Sequence, residues 1–307
     1  MRTREFYLEV LEKLRDRGSV QIFTALSGEN QGKKSFSRDH FPKETEVYQE
    51  TLYRKPRAAV LGGGHVSLEL VKILNMLEFQ VTVADNRPEF AEKTRFPGAE
   101  VVCRDFGEWL EELPARAYEF YIIVTRGHKD DELCLRKILG KEYEYVGMIG
   151  SRKKAALTLE RLEKSGVSLQ RIREIHTPVG LSIGAVTPAE IAVSIAGEII
   201  QVKNSRKRDI LEERVAQGIR DCRCQVLVTV IEKKGSSPRG AGSRMGVFPE
   251  GVICGTIGGG AVEAAAIAYA KGMKEDFALQ EYNLSNEASA SLGMVCGGQV
   301  KVMFERL

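Results

Sequence analysis

Residues 58–67, AAVLGGGHVS, join a short apolar run to three consecutive glycines and then to a helical pattern that continues to about Leu77. An apolar run that stops at Gly62, Gly63 and Gly64 and resumes with helical spacing reads as a strand, a tight turn and a helix. Four more strand-like runs follow, VTVAD (81–85), EVVC (100–103), EFYIIVT (119–125) and YVGMIG (145–150), each set off by a stretch of helical character. Alternating strand and helix signals predict a parallel sheet with helices on both faces.

The turn itself carries Gly62-x-Gly64-x-x-Ser67, and Asp85 ends the next strand 21 residues after Gly64. Small residues there let backbone approach a pyrophosphate at a helix N-terminus, and a carboxylate at that distance accepts a ribose hydroxyl. The pattern predicts an α/β chain with a Rossmann-type doubly wound parallel sheet and a nucleotide site at Gly62, Gly64, Ser67, Asp85 and Arg87. Arg87 leaves NAD and NADP both open, and a purely structural turn is the competing reading. The loop Arg126-Gly127-His128-Lys129-Asp130-Asp131 follows the strand EFYIIVT, and Ser151, Arg152 and Lys153 follow YVGMIG. Both therefore fall at the carboxyl edge of the sheet, where doubly wound folds bind ligands. His128 with its acidic neighbours suits a proton relay or metal ligation, or else a polar loop capping a helix. Arg126, Ser151, Arg152 and Lys153 could clamp an anion, or simply be solvated.

Outward from this unit, TPAEIAVSIAGEIIQV (187–202) reads as its last helix, with Thr187 as N-cap and Pro188 in the first turn. The polar run KNSRKRD (203–209) then breaks the periodicity and is expected to be a solvated linker. Beyond it, ILEERVAQGIRD (210–221) looks helical and QVLVTVI (225–231) is a β-branched strand. Short strands are expected near 243–248, 251–257, 277–283 and 300–305, with a helix from about Ala261 to Lys271. That is a smaller α+β domain. Its two glycine-bearing loops, GSSPRGAGSRM (235–245) and GTIGGGAVEAAA (255–266), let successive amides converge on an anion. Ser236, Ser237, Arg239, Arg244, Gly258, Gly259, Gly260 and Glu263 are its candidate contacts; the competing reading is two flexible hairpin loops. Cys296 in GMVCGGQV (293–300) could project from a turn, where amides would stabilise a thiolate suited to a soft metal or a persulfide; a buried, inert thiol is the competing reading. Upstream, LRDRGSVQIFTAL (14–26) faintly echoes IRDCRCQVLVTVI (219–231), with Arg15, Asp16 and Thr24 matching Arg220, Asp221 and Thr229.

Composition bounds the function classes. With 307 residues, 43% hydrophobic and 28% charged, the chain has the makings of two or three folded domains. A net charge of +3 names no nucleic-acid or membrane partner. No stretch approaches 18 uninterrupted apolar residues and the charged start has no signal-peptide core, so a cytoplasmic protein with no membrane segment is expected. Six cysteines are too sparse for a disulfide scaffold in so long a chain. Cys222 and Cys224 lack partners at zinc-finger spacing, and Cys103, Cys134 and Cys254 are expected in the core.

Taken together, these motifs resemble the XdhC and CoxI group of accessory proteins for molybdenum hydroxylases such as xanthine dehydrogenase. GGGHVS, VADNRPEF (83–90), TRGHKDDE (125–132), YVGMIGSRKK (145–154) and PVGLSIGAVTPAEIAVSIAGEI (178–199) look like the family's Rossmann-type domain. GSSPRGAGSRM, GTIGGGAVE and GMVCGGQVKVMFE look like its CoxI-like domain. The resemblance implies residues 56–203 as the Rossmann-type nucleotide-binding domain, 204–209 as linker and 210–307 as the CoxI-like domain. Residues 1–55 form a helix and strand arm expected to pack on the latter. The family usually places the CoxI-like domain first, so the order here is swapped, as a circular permutation joined through 203–209 would produce. The family's usual cysteine after the glycine run is Ala261 here.

The resemblance further implies a maturation factor that binds molybdenum cofactor (molybdopterin), guards it during sulfuration and delivers it to an apo-hydroxylase. Cys296 would be metal ligand or sulfur relay, Arg239 and Arg244 phosphate partners, and Gly258, Gly259 and Gly260 backbone donors. A cysteine desulfurase would supply sulfur, and a homodimer would be one way to close a pocket between unlike domains. The alternative is an NAD(P)-dependent oxidoreductase using the glycine turn and Asp85 for its cofactor and His128 as acid or base.

Overall fold

The computed structural model describes residues 2–205, 208–235, 240–283 and 298–307. They divide into two compact units: Met1–Arg54 with Arg208–Leu307, and Lys55–Lys207.

The chain begins in the first unit. Helix α1 (Thr3–Arg17) buries Phe6, Tyr7, Val10 and Leu14, whose three- and four-residue spacing puts them on one face, and Gly18 ends it in the left-handed conformation. Strand β1 (Ser19–Ala25) then pairs antiparallel with both β2 (Lys34–Ser35) and β3 (Val47–Tyr53).

The second unit follows as β4 (Arg57–Leu61), α2 (His65–Met76), β5 (Gln80–Asp85), β6 (Glu100–Cys103), α3 (Phe106–Glu112), β7 (Phe120–Ile123) and α4 (His128–Leu139). It continues with β8 (Tyr145–Met148), α5 (Arg152–Lys164), α6 (Leu169–Arg173), β9 (Ile175–His176) and α7 (Pro188–Asn204). The six strands run parallel in the order β6-β5-β4-β7-β8-β9. This is the predicted Rossmann-type sheet, and its order reverses between β4 and β7, the switch point where such folds bind ligands. The two-residue period of β4 decides its faces: Ala58 and Val60 join the core under α2 and α7, Ala59 and Leu61 the core under α3 and α4. Thr187 caps α7 as predicted, reciprocally with Glu190.

The chain then returns to the first unit. Strand β10 (Asp209–Ile210) lies parallel to β3, with Asp209 opposite Leu52 and Ile210 opposite Tyr53. Then come α8 (Glu213–Arg220), β11 (Val226–Gly235), β12 (Arg244–Val247), β13 (Ile253–Gly255), α9 (Gly260–Gly272), β14 (Phe277–Asn283) and β15 (Gly298–Arg306). The sheet order is β13-β12-β11-β15-β14, all antiparallel. Its helix α8 and the arm's helix α1 share one core, in which Phe6, Val10, Leu14, Ile22 and Leu52 meet Val215, Ile219, Leu227 and Phe248. Arg4 donates to the carbonyls of Ile219 (2.9 Å) and Arg220 (3.0 Å), satisfying the exposed end of α8.

Some details differ from the sequence reading. Residues 209 and 210, expected to end a linker and start a helix, form β10 because β3 offers them an open edge. Strands β2, β3 and β9 were not anticipated: two are only two residues long, and β3 (VYQETLY) mixes polar residues into a strand half covered by its neighbours. Cys103 is exposed, not in the core, because it ends β6, an edge strand. Among the described residues no helix is long and apolar enough to cross a membrane.

Ile199 of α7 is wholly buried over the parallel sheet. Ile199→Ala is expected to lower the stability of the Lys55–Lys207 unit by about 2–5 kcal/mol, read by calorimetry as a lower melting temperature for that unit's transition.

Candidate functional site

The glycine turn between β4 and α2 is packed against its neighbours on one side and open on the other. A Cβ on Gly62 would lie 2.5 Å from the carbonyl oxygen of Val124, and one on Gly63 would overlap the carbonyl of Phe90. Gly64, the N-cap of α2, faces open space. Ser67 is fully buried and its hydroxyl donates to the carbonyl of Gly62. That explains a serine where the dinucleotide pattern has Gly or Ala: its hydroxyl closes the turn from within the helix.

Asp85 stands at the carboxyl end of β5, as predicted, but its carboxylate serves the protein. One oxygen accepts from the Gly63 N–H (2.7 Å) and from Arg87 Nη2 (2.9 Å), the other from the Arg87 N–H (3.0 Å) and Nε (2.9 Å). A carboxylate has about four acceptor sites, so these donors fill it, and the residue read as a ribose acceptor instead fixes the turn. Burial alone would raise its pKa, but the Arg87 side chain and the Gly63 and Arg87 amides outweigh that and hold it below the ordinary aspartate value. Arg87 in turn lies over the Phe90 ring, 3.7 Å from its centroid.

Across the switch point, the turn after β7 is braced from below. Thr125 donates to Asp131 Oδ1 (2.5 Å), and the buried Asp131 also pairs with Lys154 of α5. The sequence offered Arg152 and Lys153 as anion contacts. Both are exposed, as are Arg126 and Ser151, and the next lysine along is the one that finds an acidic partner. Ser151 caps α5, accepting from the Lys154 N–H (3.2 Å). His128 is the first residue of α4, and its side chain lies outside the described set.

A second cluster in this unit was not foreseen. Glu198 of α7 accepts from the Tyr145 hydroxyl (2.6 Å) and the Gly180 N–H (3.0 Å), and its other oxygen is 3.1 Å from His176 Nδ1. Burial pushes the Glu198 carboxyl up, but the hydrogen bonds from His176, Tyr145 and Gly180 prevail and its pKa is lowered. The residues come from β8, β9, the following loop and α7, so no local pattern joins them.

In the first unit, the loop from Thr256 to Gly260 closes on an anion of its own. Glu263, one turn into α9, accepts through one oxygen from Thr256 Oγ1 (2.5 Å) and from the N–H groups of Ile257 (3.1 Å) and Gly259 (3.2 Å). The Gly258 N–H donates to Thr256 Oγ1 (3.0 Å). Gly258, Gly259 and Gly260 all have positive φ, which is why three glycines stand in a row. The convergence of amides inferred from sequence is present, but Glu263 occupies it. Arg244, read as a phosphate partner, is 7% exposed; it pairs with Glu50 of β3 and donates to the Gly242 carbonyl (2.9 Å). Ser236, Ser237, Arg239 and Cys296 lie outside the described residues. Cys224 is buried, which pushes its thiol up to about 12, and Cys254 is half-buried.

Two family models match this chain, one described as the XdhC Rossmann domain over residues 59–199 and one as the XdhC and CoxI family over residues 220–283. The chain belongs to the XdhC and CoxI family. It is 28% identical over 165 residues to a Bacillus subtilis protein named as a probable subunit of xanthine dehydrogenase, covering 53% of this chain and 48% of that one. It is 35% identical over 153 residues to an uncharacterized protein of Escherichia coli, YqeB, covering 49% of this chain and 28% of that one. The XdhC and CoxI chain thus spans less than half the length of either curated relative. Among solved structures, a xanthine dehydrogenase of Bacillus halodurans matches with a TM-score of 0.57 and 26% identity, over 67% of this chain and 66% of that one.

Because the folded carboxyl of Asp85 has a depressed pKa, its contribution is complete above the unfolded value and disappears as pH falls through the folded one. Asp85→Asn is therefore expected to cost the Lys55–Lys207 unit about 1–3 kcal/mol at neutral pH. It should also flatten the acid limb of its stability below about pH 4. Melting curves of both proteins across that range test this; parallel curves would exclude the role assigned to Asp85.

Proposed function

We propose that the protein is an accessory factor for a molybdenum hydroxylase of the xanthine dehydrogenase type. In this reading it holds molybdenum cofactor while sulfur is introduced, with a cysteine desulfurase as donor, and hands it to the apo-enzyme. The observation that carries the reading is that models of both family domains match within one chain, residues 59–199 and 220–283. The Bacillus subtilis relative, named for xanthine dehydrogenase, supports the client class.

The cofactor is a pterin dithiolene with a phosphate tail, so it calls for anion donors and a soft ligand. Among the described residues, the Thr256–Gly260 loop does not fit the phosphate as it stands, because Glu263 already accepts its amides. Arg244 is likewise committed to Glu50. The proposal therefore assigns the phosphate to Ser236, Ser237 and Arg239 and the soft ligand or sulfur relay to Cys296, with Glu263 holding the Thr256–Gly260 loop. When bound, the cofactor would supply the metal centre at which sulfur is exchanged.

In the other unit, the open side of Gly64 at the start of α2 suits a phosphate group of a nucleotide. The oxidoreductase alternative needs Asp85 as ribose acceptor, and that carboxylate is already filled by Gly63 and Arg87. The accessory reading makes no such demand and is preferred.

The test is molybdenum and pterin content of the protein purified without oxygen from a cofactor-producing host, wild type beside Cys296→Ala. Near-stoichiometric molybdenum in the wild type and its loss in the variant are expected. Retention in both would remove Cys296 as a necessary ligand. Absence from both, where a known carrier loads, would overturn the proposal.

A further inference from the structure

The arm and the C-terminal half of the first unit are built alike. In the arm, β1 sets Thr24 opposite Lys34 of β2 and Ile22 opposite Glu50 of β3. In the C-terminal half, β11 sets Thr229 opposite Arg244 of β12 and Leu227 opposite Glu305 of β15. The described ends of the two turns share their bonds: Gly32 N–H donates to the Ala25 carbonyl (2.9 Å) as Gly242 N–H does to Val230 (2.8 Å). Ala25 N–H donates to Lys33 (3.0 Å) as Val230 N–H does to Ser243 (2.9 Å). Gly32 and Gly242 share positive φ, +82° and +95°. Helix α1 precedes β1 as α8 precedes β11, and Val10 and Leu14 of one meet Val215 and Ile219 of the other in a single core. The sequence echo of Arg15, Asp16 and Thr24 with Arg220, Asp221 and Thr229 falls on this correspondence.

The contacts between the halves are reciprocal. Lys34 of the arm pairs with Glu305 of the C-terminal half (2.7 Å), and Arg244 of the C-terminal half pairs with Glu50 of the arm. All four side chains are at most 4% exposed. Each turn also backs onto the strand that flanks the other half's sheet: Gly32 onto Phe277 of β14, Gly242 onto Asp209 of β10. Contacts in which i meets j while the mate of j meets the mate of i are the mark of an isologous two-fold interface.

We infer that α1, β1, β2 and β3 of the arm and α8, β11, β12 and β15 of the C-terminal half are two copies of one helix and three-strand module paired about an internal two-fold, the arm standing in for a second copy of the C-terminal module. The face of the C-terminal module under the arm is then self-complementary. A second such module seated there would set its Arg244 against Glu305 and its Glu305 against Arg244, reproducing both buried pairs. The partner that this face fits, once the arm is displaced, is another copy of this chain.

The test uses the full chain. K34E/E50R sets like charges against Glu305 and Arg244, and breaking two buried pairs should lower the melting temperature of the first unit by about 10–40 °C. Light scattering should then find twice the wild-type mass, as C-terminal modules pair with each other. The fourfold variant K34E/E50R/R244E/E305K re-creates both pairs with inverted sign and is expected to recover wild-type mass and at least half of the lost melting temperature. The single reversal E50R with its rescue E50R/R244E makes the same comparison with a milder change. A fourfold variant as unstable as the double would overturn the reciprocal pairing. Rescue without any mass increase in the reversed variants would overturn the self-complementary face.

Discussion

Two buried carboxylates, Glu50 and Glu305, impose a condition that the rest of this chain obeys. Neither can stay ionised out of water without a cation beside it, and each finds its cation in the other half of the unit: Arg244 for Glu50, Lys34 for Glu305. Residues near the start of the chain must therefore be in place before the C-terminal sheet is electrically complete, and the reverse. The Tyr7 hydroxyl adds a donor to Glu305 (2.8 Å), and Lys34 another to Thr24 (2.7 Å), so the arm supplies hydrogen bonds as well as charge. The parallel-sheet unit, Lys55–Lys207, is accordingly an insertion between two segments that form one body.

Within the insertion, charge is again used to hold a turn. A strand that ends in three glycines gains close approach and loses stiffness. Here Asp85 restores it, fixing Gly63 from one side while Ser67 fixes Gly62 from the other. Asp131 does the same after β7, tied to Thr125 and Lys154. Both turns of the switch point are thus held by buried carboxylates whose partners lie in neighbouring elements, which leaves the open face of Gly64 as the accessible part of the turn.

The parallel sheet was legible because its strands are nearly uniform apolar runs and its glycine turn and Thr187 cap are local signals. The strand and helix positions around Gly62, Asp85 and Thr125 needed nothing beyond spacing. What could not be read is what depends on distance along the chain. Asp85 has the position of a ribose acceptor, and only the arrival of Arg87 and Gly63 assigns it elsewhere. Arg244 has the composition of a phosphate contact, and its burial is decided by Glu50, nearly two hundred residues away. Strands β2 and β9 are too short to have a period at all. The echo between residues 14–26 and 219–231 was visible, but its three identities became meaningful only when the registers of Lys34, Glu50, Arg244 and Glu305 were known.

Glu263 is the clearest case of a sequence signal that was read correctly in form and differently in substance. Glycines at 258–260 before a helix do bring amides together, and the charge they gather is the chain's own carboxylate from the next turn of α9. An internal carboxylate at such a place neutralises the positive end of the helix and fixes three consecutive left-handed glycines, which would otherwise sample many conformations. An external phosphate could enter that nest only by expelling Glu263, and would then have to satisfy Thr256 and both amides better than a tethered group that gives up side-chain rotamers but no translational or rotational freedom. The loop is therefore built as a wall closed by the chain's own carboxylate.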